Sequence, residues 1–264
     1  MESHLRIHLI TQEDPFYLPT FFREFFAGLP REHLEVTGLD VTPPLNRANR
    51  GKLARRLYDF YGPIDFLRLG GRYAVATVRD AVLPLRAWDG IVRRIASVHG
   101  VRSHIIRDVN APEYVEHLRG LRLDLLVSVA ASQIFRRELL TVPRLAAINI
   151  HTGRLPAYRG MLPVFWQMLD GRGSIGITIH TMTAEVDIGE LLLQREVPYN
   201  PADSLDAVIR EMKRQGALAM LELLRAYAAG TVTSAPMDRG EAGYRSFPDR
   251  AAARAFRARG LRLL

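Results

Sequence analysis

The sequence predicts an α/β fold: a mostly parallel, twisted sheet with helices on both faces and a short C-terminal helical extension. Three observations predict it. Apolar runs of strand length recur along the chain, most clearly at residues 123–129 and 145–151. Segments of helical periodicity separate them, which calls for crossover connections and therefore parallel strands under helices. At 264 residues, 48% of them apolar and 24% charged, the chain can bury a real core. That length suits one large domain, or one domain with an appendage.

Residues 5–11 (LRIHLIT) alternate and read as the first strand, closed by a Gln-Glu-Asp-Pro turn. Residues 18–27 are rich in phenylalanine at helical spacing. Residues 34–41 read as a second strand, ended by Pro43 and Pro44. From 50 to 99 the periodicity is helical but mixed, with breaks expected near Pro63, Gly70–Gly71 and Pro84. Regular alternation of elements then begins. Residues 101–107 read as strand, 111–119 as helix, 123–129 and 145–151 as strands, 161–169 as helix, and 175–182 and 191–197 as strands. A long helix over 204–229 follows, and the segment 244–248 with the Arg-rich run after it reads as a tail folding back on the domain. Repeats and low-complexity tracts are absent from the sequence.

Charge and composition limit the function classes. The net charge of +8 is unevenly spread: residues 46–107 carry 13 Lys/Arg against 4 Asp, and residues 238–264 carry 7 Arg against 3 acids. Positive fields favour anionic ligands such as phosphates, polyglutamate tails or nucleic acid. Yet 34 of the 36 basic residues are Arg, a bias that high-GC coding alone produces. The basic stretches therefore read as solvated surface ahead of a dedicated nucleic-acid face. The absence of cysteine excludes disulfides and thiolate metal sites, which suits the cytoplasm. No secretory signal is read at the N-terminus and no membrane span anywhere.

Residues 171–176 (GRGSIG) match G-x-G-x-x-G in form only. A dinucleotide loop needs a strand before it and a helix after it, so that the pyrophosphate meets a helix N-terminus. Here the order is helix then strand, which makes the segment a helix-ending turn. The eight histidines have no ligand-like spacing, so no metal is expected. His180, on an alternating strand, reads as a satisfied core or surface residue.

Asn149 and His151 differ, because an apolar run ends in them at the carboxyl end of a strand. Two residues apart, their side chains leave the same face. In open α/β sheets ligands collect at that end. An amide and an imidazole converging on one cavity suit acyl transfer, where an oxyanion is bound and a proton moved. A buried polar pair can equally tie down a loop. A third candidate, Asp187 in Glu185-Val-Asp-Ile-Gly189, lies in another strand-end loop. It could accept a proton or orient His151, or simply cap an Asp-x-Gly turn.

Taken together, Asn149-Ile-His151, Leu155-Pro-Ala-Tyr-Arg-Gly160, Gly176-Ile-Thr178 and Asp187-Ile-Gly189 resemble, in order and spacing, the 10-formyltetrahydrofolate-dependent formyltransferases. That family includes the methionyl-tRNA, glycinamide ribonucleotide and sugar N-formyltransferases. Upstream, residues 124–135 resemble its pterin-holding strand and loop. The similarity is good over 101–229 and loose over 1–100.

The resemblance implies a Rossmann-like fold. Residues 1–200 would be the catalytic domain, with 201–264 a helix and tail packed on it. It implies Asn149, His151 and Asp187 as catalytic residues. Ser132, Gln133, Ile134, Phe135, Met182, Glu185 and Val186 would lie against the folate donor, largely through backbone hydrogen bonds. Arg154, Tyr158 and Gly160 would lie toward the acceptor. Arg154 stands where relatives carry an apolar residue, which puts the departure on the acceptor side. The expected reaction is formyl transfer from 10-formyltetrahydrofolate to a small-molecule amine such as an amino-sugar nucleotide. The tail leaves little room for the β-barrel that tRNA-specific relatives use, so no specific nucleic acid and no membrane partner are expected. A formyltetrahydrofolate hydrolase, or a non-catalytic folate- or RNA-binding protein on the same scaffold, are the alternatives.

Overall fold

The computed structural model describes residues 4–43, 50–82, 90–238 and 243–264. Strand β1 (Leu5–Gln12) lies inside an eight-stranded sheet, parallel to β2 (Leu34–Thr42) on one side and β4 (Leu125–Val129) on the other. β4, sequence LLVSV, is buried along its whole length, as the inner strands of a two-sided parallel sheet must be. With β3 (Ser103–Ile105), β5 (Ala146–His151), β7 (Ser174–Thr181), β8 (Glu190–Pro198) and β9 (Ala235–Pro236), the order is β3-β2-β1-β4-β5-β7-β8-β9. The chain runs outward from β1 to β3, then returns to lay β4 and β5 on the other side. The order therefore reverses between β1 and β4, where such sheets open a crevice at the strands' carboxyl ends.

The parallel half matches the expectation; beyond β5 the strands run antiparallel. Between β7 and β8 the reason is length. Residues 182–189 link them, fewer than the dozen or so that a parallel crossover needs.

Helices α1 (Leu18–Ala27), α3 (Ile91–Val98) and α7 (Leu205–Ala229) cover one face. In α1, Leu18, Phe21, Phe22, Phe25 and Phe26 are buried at the spacing of a single apolar stripe. The other face holds a smaller core, in which Tyr114, Val115 and Leu118 of α4 (Pro112–Gly120) and Leu139 of α5 (Arg137–Leu140) meet Ile10, Leu126 and Ala147 of the sheet.

Helix α2 (Arg50–Val82) is kinked at Gly62, whose φ is +71°, just before Pro63, where a break was expected. The expected break at Gly70–Gly71 is absent, because the helix runs through both. Open space surrounds them, and a helical glycine costs only about 1 kcal/mol. Pro44 and Pro84 lie outside the described residues.

α7 starts at Ser204, whose hydroxyl accepts from Ala207 N–H, and ends at Gly230 in the left-handed conformation. The chain after it folds back. β10 (Tyr244–Arg245) pairs with β6 (Arg159–Gly160), and α8 (Arg250–Ala258) lays Phe256 on Phe165 of α6 (Pro163–Leu169), with ring centroids 4.7 Å apart. The tail arginines serve this packing. Arg257 donates to the carbonyls of Phe60 and Tyr61, Arg259 to that of Leu169 and Arg262 to that of Ala202.

Candidate active site

β5 presents its side chains alternately. Ile148 and Ile150 enter the larger core, so Asn149 and His151 project from the opposite face. Pairing with β7 sets Asn149 opposite His180 and His151 opposite Thr178. His151 is 8% exposed. Its Nε2 lies 2.7 Å from the Tyr158 carbonyl, which can only accept, so Nε2 carries a proton. Its Nδ1 faces Asp187 Oδ1 at 3.7 Å, within ion-pair range but too long for a hydrogen bond. Each ring nitrogen thus faces an acceptor.

Asp187 is held from its other oxygen: Oδ2 accepts from Gly160 N–H at 2.8 Å. Its φ is +54°, in the left-handed region that non-glycine residues seldom occupy. Such strain concentrates at functional sites. Asn149 is fixed through His180, whose place on an alternating strand marks it in the sequence only as a core or surface histidine. His180 Nδ1 donates to the Thr181 carbonyl at 2.8 Å, so its Nε2 accepts from Asn149 Nδ2 at 3.3 Å. Burial pushes the His180 pKa down and keeps this accepting form. One Nδ2 proton of Asn149 remains for a ligand.

The loop after β5 is drawn tightly around the ring. A Cβ on Gly153 would lie 2.7 Å from His151 Nε2 and 2.7 Å from Pro163 Cβ, so only glycine fits. Thr178 Oγ1 donates to the Gly153 carbonyl at 2.7 Å and accepts from Leu155 N–H at 3.2 Å. Buried Gln167 accepts from Gly176 N–H at 2.9 Å and Arg154 N–H at 3.3 Å. Gln167 was missed in the sequence; its signal is a lone amide in the apolar helix segment PVFWQML.

Asn149, His151 and Asp187 come together from two strand ends, and residues 82–224 match the family described as Formyl transferase. The chain belongs to the formyl transferase family. The methionyl-tRNA formyltransferase of Roseiflexus castenholzii is 39% identical over 226 residues, covering 83% of this chain and 61% of that protein. That of Geobacter metallireducens is 36% identical over 147 residues, covering 56% and 47%. The chain spans about half the length of the curated relatives it matches. The crystal structure of glycinamide ribonucleotide transformylase 1 from Symbiobacterium toebii shares the fold, with a TM-score of 0.60 at 19% identity over 89% of this chain and 94% of that one.

Within this formyl transferase fold, the residues expected near the donor fall in two strand-end loops. Ser132 Oγ donates to the Pro43 carbonyl at 2.6 Å, and Gln133 bonds the backbone of Arg107 and Val109. Phe135 is buried in the smaller core and Met182 packs against it, so the two loops meet through that core. Ile134 and Val186 are exposed at 65% and 40%, offering apolar surface. Their carbonyls already accept from Asn110 and Arg159. Glu185 lies 3.5 Å from Arg159.

The residues expected toward the acceptor do not all reach the cluster. Arg154 is turned to Glu196 on β8 at 3.5 Å. Tyr158 is buried, with its hydroxyl donating to Asp170 at 3.0 Å, and meets the cluster only through its carbonyl. Gly160 does touch the cluster, through its N–H.

Elsewhere, His8 and His104 share Asp40 at 2.9 and 3.3 Å, with Tyr114 OH donating to the same carboxylate at 2.7 Å. Burial is the largest effect and works against that charge, but the hydrogen bonds and charges of His8, Tyr114 and His104 together outweigh it, and the Asp40 pKa lies below its usual range. Among the described residues, no group of three or more His, Cys, Asp or Glu could hold a metal ion, and no helix is long and apolar enough to cross a membrane. A cavity of about 820 Å³ lies between α1, α2, α3 and α7, lined by none of the cluster residues. Its Arg72 and Arg210 are both paired with Asp206.

Proposed function

We propose that this protein transfers a formyl group from 10-formyltetrahydrofolate to an amine, with residues 1–200 as the catalytic domain and 201–264 as a helix and tail packed on it. The observation that carries this reading is the convergence of Asn149, buried His151 and strained Asp187, with His151 Nδ1 3.7 Å from the Asp187 carboxylate. The acceptor amine attacks the formyl carbon, and the oxyanion that forms is stabilised by the free Asn149 N–H and by His151, whose Nδ1 donates when the ring is protonated. Asp187 takes up the proton that the amine releases and passes it toward the departing folate nitrogen. The donor lies against Ser132, Gln133, Ile134 and Phe135 on one side and Met182, Glu185 and Val186 on the other. The exposed apolar faces of Ile134 and Val186 suit a planar ring.

The acceptor we propose is a small-molecule amine. Arg159, the arginine that borders the cluster, supports this, since its largely buried guanidinium is engaged with the Val186 carbonyl and Glu185. The second reading is methionyl-tRNA, favoured by the name of the relatives at 36% and 39% identity and opposed to the expectation of no nucleic acid.

Two measurements test the proposal. The donor isomer 5-formyltetrahydrofolate is expected to raise the melting temperature, because a ligand of the native state stabilises it by mass action. NAD is not, and an NAD shift exceeding the folate shift reverses the assignment. For the acceptor, Met-tRNA and a panel of amino-sugar nucleotides and diamines are supplied with the donor at about 0.15 M salt, where nonspecific polyanion contacts are weak. Efficient formylation of Met-tRNA there decides for the second reading.

A further inference from the structure

We infer that Arg159 is a positioning residue that, together with the backbone of its two neighbours, sets the geometry between His151 and Asp187. The inference rests on the proposed formyl transfer at that cluster. Three consecutive residues grip both partners. The Tyr158 carbonyl accepts from His151 Nε2 at 2.7 Å, and Gly160 N–H donates to Asp187 Oδ2 at 2.8 Å. Between them, Arg159 reaches the residues just before Asp187: Nη2 and Nε both donate to the Val186 carbonyl, at 2.6 and 3.1 Å, and Nη2 lies 3.5 Å from Glu185.

The Arg159 side chain is only 15% exposed, whereas Glu185 is 52% exposed. A guanidinium spending two donors on one carbonyl in a largely buried position differs from a solvated surface arginine, whose ion pair contributes little. The carbonyl is the main contact and the carboxylate the lesser one. Asp187 needs this support, because a left-handed φ of +54° persists only where the surroundings over-determine it. The loop supplies part of the restraint itself, through Thr183 Oγ1 donating to the Ile188 carbonyl at 2.8 Å. Arg159 supplies the part that ties the loop to the His151 side.

The bracket is anchored in turn. Arg159 N–H donates to the Gly243 carbonyl at 3.0 Å and Met161 N–H to that of Arg245 at 2.8 Å, so β10 fixes β6 from outside. A Cβ on Gly160, whose φ is +96°, would collide with the Arg245 carbonyl, so the glycine permits this approach. The tail therefore reaches the cluster through one tripeptide.

The test compares wild type with Arg159→Ala and Arg159→Lys by two readouts. Hydrogen–deuterium exchange at backbone amides 183–188 is expected to rise in Arg159→Ala and to stay unchanged in β5 and α7. In steady state with 10-formyltetrahydrofolate and an amine, kcat is expected to fall about 10²-fold, the loss a small misplacement of reacting groups produces. The acceptor KM should stay within a few-fold. Arg159→Lys, which keeps one donor for the Val186 carbonyl, should recover part of kcat; this variant carries the test if the alanine variant does not fold. Unchanged exchange at 183–188 overturns the inference, as does raised exchange with unchanged kcat. A wild-type protein that moves no formyl group refutes the proposed function, and the exchange result then decides by itself whether Arg159 holds the loop.

Discussion

His151→Ala is expected to lower formyl transfer by about 10²- to 10³-fold, the usual loss when one group that stabilises an oxyanion is removed. Asn149→Ala and Asp187→Asn should fall in the same range. The effects should not add, because groups that act as one unit lose most of the rate at the first deletion. Structural cost has to be separated from chemical cost. His151 is buried and satisfies the Tyr158 carbonyl, so its loss should destabilise the fold by about 1–3 kcal/mol. Asp187→Asn keeps an acceptor for Gly160 N–H and removes only the charge facing the imidazole. It is the cleaner variant. Single-turnover rates with a thermal melt of each variant check the prediction; His151→Ala within tenfold of wild type would contradict the mechanism.

Phe165→Ala is expected to cost about 3–5 kcal/mol of stability, the range for removing a fully buried aromatic ring. Phe165 is 0% exposed and joins three parts of the chain. It stacks on Phe256 of α8 at 4.7 Å, meets Phe60 of α2 edge-on at 5.4 Å, and belongs to α6, the helix that follows the His151 loop. The cavity left behind lies where the tail docks, so α8 should lose protection first. Urea unfolding measures the total, and a loss below about 1 kcal/mol would show that the site collapses around the gap.

How much of this was legible in the sequence follows from the range of the interactions. β4 and β5 are buried on both faces, so they appear as apolar runs, and polar side chains ending such a run stand out; Asn149 and His151 were found that way. Local order likewise separates residues 171–176 from a dinucleotide loop. Gly171 ends α6 with φ +77° and Gly176 lies inside β7, so helix precedes strand there. By contrast, β6 and β10 have two residues each and show no period. The contact of His180 with Asn149 depends on the antiparallel register of β5 and β7, which neither strand encodes alone. Arg159 meets Val186 across 27 residues of chain, through two loops whose approach is set only by the finished fold. Arg154 was expected toward the acceptor because of its charge; β8 brings Glu196 to it instead.

The central claim is that Asn149, His151 and Asp187 move a formyl group from a reduced folate to an amine. The most direct measurement follows the carbon: 10-formyltetrahydrofolate labelled in the formyl group is mixed with the protein and a panel of amines, and the label is traced. The account predicts label in an acid-stable N-formyl amine with wild type, and little in any product with His151→Ala or Asp187→Asn. Label released as free formate without an acceptor would mark a hydrolase, and label remaining on the folate with every amine would contradict the account.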